Sequence, residues 1–303
     1  MPSRKKHTPE DTDVTITTRL VKDRMRARSI EHLMTHQPPC ATCEGCQARA
    51  RQSKHHKGAF DASPKDRSMI ITLDQVTIQD LDFSHGYGGF RYGIVFCSLK
   101  SDYWTFIPLR SLECSDAHAA FRQFCIIHNL RSKEVVVYCD AHQSLRQICF
   151  IEGTPVEHPP TGRSERNPII ERKIGLTLAC LRSASVTGGL PMCLWPKVAH
   201  AAVVNYQLFH KGSDGKTNYE RAFGSMKKFQ SFLSGELIFF RPSPTILSCT
   251  LAKSAPRLIP GIFLDYYTPR AGELYGQCIV RLYPIPTGEV RTPTPQSVIS
   301  PFV

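Results

Sequence analysis

No stretch of this chain approaches the roughly 18 uncharged apolar residues that a membrane-spanning helix requires, so a helical membrane protein is excluded. The first residues, Met1-Pro2-Ser3-Arg4-Lys5-Lys6, lack the apolar core of a secretory signal. A disulfide framework is missing too. The 12 cysteines are scattered over 303 residues, several inside apolar runs such as Val95-Phe96-Cys97, where they read as reduced core residues. These absences point to an intracellular chain. There is no internal repeat. Acidic residues are also short in number, 26 against 38 Lys and Arg, for a net charge of +12.

That excess sits at the two ends. Residues 1–67 balance to +6, residues 68–210 to +1 and residues 211–303 to +5. A nearly neutral middle between basic flanks fits a catalytic core with polyanion-gripping arms. The expected organisation is therefore a basic arm with a His/Cys segment over residues 1–66, a core over 67–210, and a basic, β-rich region with a proline-studded tail over 211–303. Within the arm, Val21 to Arg28 reads as a basic helix.

The core has the clearest pattern. Met69 to Asp74, Phe90 to Leu99, Tyr103 to Leu109 and Val135 to Asp140 are short apolar runs of strand type, the middle two joined by Lys100-Ser101-Asp102. A helix is expected from Ser115-Asp116 to His128. Another starts at Asn167-Pro168, a good N-cap followed by a good first helical residue, and Ile170, Ile174, Leu178 and Leu181 recur at helical spacing. A further helix is expected from Leu190 to Phe209. Glu236 to Phe240 and Gly261 to Leu264 read as later strands. Strands followed by alternating helix and strand predict an α/β sheet, part antiparallel and part parallel.

Three carboxylates carry the chemistry. Asp74 and Asp140 end two apolar runs, and Glu171 lies in the first turn of the helix after Asn167, at the edge of its buried stripe and so turned towards the sheet. Carboxylates at the ends of buried strands are costly unless they hold something cationic. Magnesium prefers oxygen ligands of this kind. Two such ions about 3.5–4 Å apart can activate an attacking oxygen and stabilise the leaving oxygen of a phosphodiester. For each residue alone, a simple strand or helix cap is the competing account.

A second cluster precedes the core. His32 and His36 form H-x3-H, and Cys43 and Cys46 form C-x2-C, a set suited to tetrahedral zinc. Cys40, His55 and His56 are rival ligands. Arg49, Arg51, Lys54 and Lys57 follow the cysteines as phosphate-binding candidates. Arg163, Arg166, Arg172 and Lys173 surround the mouth of the Glu171 helix, where positive charge would position a duplex without reading its sequence.

The ordered Asp74, Asp140 and Glu171 resemble the catalytic triad of retroviral and LTR-retrotransposon integrases. Asn167-Pro168-Ile169-Ile170-Glu171-Arg172 is similar to that family's Asn-Gly-x-x-Glu-Arg, with Thr177-Leu178 at the distance of its Thr-Leu. Three further segments resemble copia-like elements: Leu190-Pro191 to Trp195, Thr217 to Gly224, and Gly261 to Tyr267. The likeness spans about residues 36–283. It implies an α/β, ribonuclease H-like mixed five-stranded sheet flanked by helices, with a zinc-like N-terminal segment and a small β-rich C-terminal domain. It also implies DNA 3′-end processing and strand transfer with two Mg2+ (or Mn2+) ions on the triad, and a zinc ion on the His/Cys set. The partners implied are element-end and target DNA and further copies of the chain, in the nucleus of a eukaryote. The chain departs from the family pattern at His142, at Pro168 and in the short span from Asp140 to Glu171. Those departures favour the alternative, a decayed or domesticated copy that binds nucleic acid without turnover.

Overall fold

In chain order the helices are α1 (Ile30–Thr35), α2 (Glu44–Gln47), α3 (Cys114–Ile127), α4 (Gln143–Glu152), α5 (Pro168–Gly188), α6 (Trp195–Phe209) and α7 (Asn218–Phe223). They belong to a computed structural model that describes residues 21, 22, 24–40, 42–48, 70–78, 85–140, 142–157, 167–224, 230–241, 258–268 and 278–282. In the basic stretch before α1, residues 24–27 are helical.

The apolar runs build one mixed sheet. β1 (Ile70–Thr77), β2 (Tyr92–Ser98) and β3 (Trp104–Leu109) form an antiparallel meander, and β4 (Val136–Cys139) and β5 (Val156–Glu157) join in parallel beyond β1. The order is β3-β2-β1-β4-β5. With helices on both faces, this is the ribonuclease H-like arrangement expected from the sequence.

Alternation along the strands divides the core into two layers. Ile71, Leu73, Ile94, Phe96, Val137 and Cys139 pack with Phe121 and Phe124 of α3 and with Leu145 and Ile148 of α4. Phe96 stacks on Phe124 with centroids 4.8 Å apart. On the other face, Val95, Cys97, Trp104 and Phe106 pack against Ile170, Cys180 and Leu181 of α5 and Trp195, Val198 and Ala202 of α6. Each such large side chain contributes about 2–3 kcal/mol by leaving water.

Two elements differ from expectation. The helix foreseen from Leu190 begins instead at Trp195, after a 3-10 turn over Met192–Leu194, with Pro196 in the first turn, where its missing N–H costs nothing. Helix α4 was not foreseen, and the fifth strand that the resemblance implied had no residues assigned to it; it is the two-residue β5.

Beyond the core, β6 (Leu237–Phe240), β7 (Ile259–Tyr266) and β8 (Cys278–Leu282) form the small antiparallel C-terminal sheet. Ile238, Phe240, Phe263 and Val280 pack against Ala201, Val204 and Leu208 of α6. An ion pair fastens the same surfaces, His200 Nδ1 lying 2.6 Å from the buried Asp265 and Lys197 Nζ 3.9 Å from it. Among the described residues, no helix is long and apolar enough to cross a membrane.

Candidate functional site

Period-two alternation and strand register bring the two aspartates together. Leu73 and Cys139 face the α3 layer and are directly paired across the parallel β1–β4 ladder. The next residues therefore stand side by side on the opposite face, the face that α5 covers: Asp140 just after β4, as expected, and Asp74 within β1, which runs on to Thr77, and not at a strand end as the sequence suggested.

Asn167 then ties the start of α5 to the same two strands. Its side-chain oxygen accepts from Ile170 N, the N-cap bond, at 3.5 Å. Its Nδ2 donates to Thr72 Oγ1 on β1 and, at 3.3 Å, to Tyr138 O on β4. Thr72 and Tyr138 each precede an aspartate by two residues. One buried asparagine thus holds the first turn of α5, and with it Glu171, beside the aspartate pair.

The electrostatics agree with that convergence. The Asp74 carboxyl is pushed up to about 6, first by burial and then by the negative charges of Asp140 and Glu171. The Gln75 N–H, 2.7 Å from Asp74 Oδ1, and the charge of His142 pull the other way. Crowded carboxylates of this kind are relieved by a divalent cation, and oxygen donors are what magnesium and manganese prefer. The donor types suit such an ion, whereas the tight grouping of ligand atoms among the described residues is that of His32, His36, Cys43 and Cys46.

Glu171 itself is exposed, as is Arg172. This corrects the expectation that α5 turns Glu171 towards the sheet: the residue stands at the mouth of the site, within electrostatic reach of Asp74. Lys173 needs a firmer correction as a candidate phosphate contact. It is buried, with Nζ 2.6 Å from Asp102 Oδ1 and 4.4 Å from the centroid of the Trp104 ring. Its charge is spent inside the fold because residues two apart on a helix point to opposite sides. Arg49, Arg51, Lys54, Lys57, Arg163 and Arg166 lie outside the described residues, as do His55 and His56.

The His/Cys set converges as a second site. One helical turn places His32 and His36 on the same side of α1, and Cys43 and Cys46 flank the start and body of α2. The four ligand atoms all lie within 4.8 Å of one another. Cys43 Sγ is 3.5 Å from His36 Nδ1, and Cys46 Sγ is 3.4 Å from His32 Nε2 and 3.7 Å from His36 Nδ1. Ordinary zinc–sulfur and zinc–nitrogen bonds at the tetrahedral angle place S and N about 3.6 Å apart. The spacing fits that metal. Burial, followed by the charge of Arg26, lowers the His32 pKa, which favours the neutral form that a ligand needs. Cys40 is outside the group, its Sγ lying 3.2 Å from Thr42 Oγ1.

This cluster is built against the helix that carries Glu171. Ser183 Oγ donates to Gly45 O at 2.8 Å, and Thr187 Oγ1 lies 3.5 Å from His36 Nε2. A Cβ on Gly45 would come within 2.6 Å of the His36 ring and 2.7 Å of Thr187 Oγ1, so only glycine fits in this C-x2-C. Sequence reading missed Ser183 and Thr187, which carry no signal beyond being polar residues on an otherwise apolar helix stripe.

Several motif residues turn out to hold the scaffold. Thr177 Oγ1 accepts from Trp104 Nε1 at 3.2 Å and donates to Lys173 O at 2.8 Å. Thr217 and Glu220 form a capping box on α7, Asn218 Nδ2 donates to Asp102 O at 3.1 Å, and Phe223 packs edge-on to Tyr103 at 5.1 Å. The segment over Thr217–Gly224 therefore clamps the β2–β3 turn that receives Lys173.

No protein-family model matches the chain, and no curated protein matches it. Among solved structures, the chain is similar to the HTLV-2 integrase catalytic core domain in complex with magnesium, at 14% identity and a TM-score of 0.38 over 51% of this chain and 96% of that one. It is also similar to a chain of the simian T-cell lymphotropic virus intasome in complex with PP2A regulatory subunit B56 gamma. That match has 12% identity and a TM-score of 0.44, over 86% of this chain and 87% of that one.

Proposed function

We propose that this chain is a DDE-type integrase of an LTR retrotransposon, a polynucleotidyl transferase that trims DNA 3′ ends and joins them to a target duplex. The observation that carries the reading is the convergence of Asp74 and Asp140 on adjacent parallel strands with Glu171 on a helix pinned to both by Asn167. Asp74, Asp140 and Glu171 would hold two Mg2+ or Mn2+ ions. When bound, such ions supply Lewis acidity to the attacking and leaving oxygens of a phosphodiester.

The chain's own residues do the rest. Burial and like charge keep a proton on Asp74 near pH 6, so the site is fully anionic only above that value. Asn167 fixes the reach of Glu171. Arg172, exposed beside Glu171, contacts the phosphate backbone, with Arg49, Arg51, Lys54, Lys57, Arg163 and Arg166 as further contacts; such contacts orient DNA without reading it. His32, His36, Cys43 and Cys46 would hold zinc, whose binding stabilises the α1–α2 segment. The working form is a homo-oligomer on DNA, acting in the nucleus of a eukaryotic host.

Full-length protein is expected to nick or join duplex oligonucleotides that carry terminal repeats, with Mg2+ or Mn2+, and Asp140→Asn to abolish it. Activity surviving that substitution refutes the assigned site. Salt-dependent DNA binding without any affinity for divalent ions identifies the alternative, a decayed or domesticated copy.

A further inference from the structure

The two histidines of the His/Cys cluster are held differently. On His36 the ring Nδ1 faces the cysteines, 3.5 Å from Cys43 Sγ and 3.7 Å from Cys46 Sγ, while Nε2 lies 3.5 Å from Thr187 Oγ1. On His32 it is Nε2 that faces Cys46 Sγ, at 3.4 Å, and Nδ1 is buried without a hydrogen-bond partner. A neutral imidazole that binds metal through one nitrogen carries its proton on the other. For His36 that other nitrogen is Nε2, whose N–H then donates to the Thr187 hydroxyl. A ligand histidine anchored in this way is fixed in tautomer and in ring orientation. Nothing local explains either residue. His36 caps α1 at φ 50° and ψ 31°, a left-handed conformation that helix ends ordinarily give to Gly or Asn. Thr187 lies in the last turn of α5, where a β-branched residue is a poor helix former. The two meet across Gly45, whose missing side chain leaves room for both.

We propose that Thr187 is a positioning residue of the zinc site: by accepting from His36 Nε2 it commits Nδ1 to the metal, and it does so from the helix that carries Glu171. The proposal rests on the zinc reading of the cluster given above. Zinc affinity and the docking of the His/Cys segment on α5 are thereby coupled, because the hydroxyl that orients the ring belongs to the helix and not to the segment. The two histidines are also unequal ligands. His36 meets the metal already oriented, whereas the His32 ring has no such bond on its far nitrogen.

Zinc affinity of the full chain, measured by competition with a chromophoric chelator, tests this. Thr187→Val removes the hydroxyl and keeps the shape, at an exposed position where the fold tolerates the change; Thr187→Ser keeps the hydroxyl. Thr187→Val is expected to weaken zinc binding at least about tenfold, and Thr187→Ser by less than about threefold. Ser183→Ala breaks the bond to Gly45 O without touching a ligand, and its loss should fall short of that in Thr187→Val. In ring 1H–15N spectra of the zinc-loaded wild type, His36 is expected to carry its proton on Nε2. A proton on His36 Nδ1 overturns the proposal, as does wild-type affinity in Thr187→Val or an equal loss in Ser183→Ala. Each of these leaves the zinc site standing. A wild type that binds no zinc, or binding that Cys46→Ser leaves intact, overturns both this proposal and the zinc reading.

Discussion

Lys173 and Asp102 show how burial decides the worth of an ion pair. The lysine side chain is 8% exposed and the aspartate 51%. Asp102→Ala strands a buried ammonium and is expected to cost about 2–3 kcal/mol, whereas Lys173→Met keeps the stem against Trp104, lets Asp102 rehydrate and costs about 1 kcal/mol or less. Urea unfolding of the two variants checks that order, and a larger loss in Lys173→Met contradicts it. His128 makes a second residue-scale prediction. It lies among Phe124, Tyr103 and Phe223, its Nε2 has no hydrogen-bond partner, and burial pushes its pKa down to about 4. The unfolded chain takes up this proton first, near the ordinary value of 6.5. Its contribution to stability is therefore complete above 6.5 and is lost as pH falls towards 4, by up to about 3 kcal/mol. His128→Phe is expected to flatten that acid slope in thermal melts; an unchanged slope assigns it elsewhere. The pairing of Asp74 with Asp140 was foreshadowed in sequence because an acid within or just after an apolar run is a local anomaly, whereas the exposure of Glu171 was not. Lys173 was misread because its partner sits in a distant turn and no neighbouring residue reveals it.

Helix α5 links site and fold. Its start was legible from Asn167-Pro168 and its end from Gly188-Gly189, where Gly189 adopts φ 58° and closes the last turn. Sequence could not show that the cap residue is also a rivet, because Thr72 and Tyr138 reach Asn167 only through strand register. Asn167→Ala is expected to cost about 1–2 kcal/mol as a lost cap. Because the same change frees the first turn carrying Glu171, DNA joining should fall further than stability alone explains. A variant whose joining merely tracks its folded fraction would reduce Asn167 to an ordinary cap. Helix α4 and the position of β5 escaped notice for physical reasons. A ten-residue helix with Phe150 and Ile151 exposed has a blurred apolar stripe, and a strand of two residues has no period to read. The start of α6 was misplaced because Leu190 to Trp195 is apolar enough to pass for helix, whereas the chain uses a 3-10 turn there.

On the scale of the whole molecule, the His/Cys segment, the five-stranded sheet and the C-terminal sheet meet on two helices. α5 carries Glu171 at one end and receives Gly45 and His36 at the other, and α6 packs against the sheet and against β7. Metal at the His/Cys cluster should therefore be felt throughout the fold. Stripping zinc from the full chain is expected to lower its melting temperature by at least about 5 °C, since a ligand bound only to the folded state stabilises it. A melt insensitive to zinc removal would mean that the segment is energetically separate from the core. The central claim, however, is that Asp74, Asp140 and Glu171 form one divalent-cation site, and calorimetric titration of zinc-loaded protein with Mn2+ tests it most directly. Because the Asp74 carboxyl holds its proton up to about pH 6, Mn2+ should bind more tightly well above that pH than well below it. Asp74→Asn should remove both the binding and its pH dependence. Absence of Mn2+ binding in the wild type, or binding that Asp74→Asn leaves intact, would contradict the account.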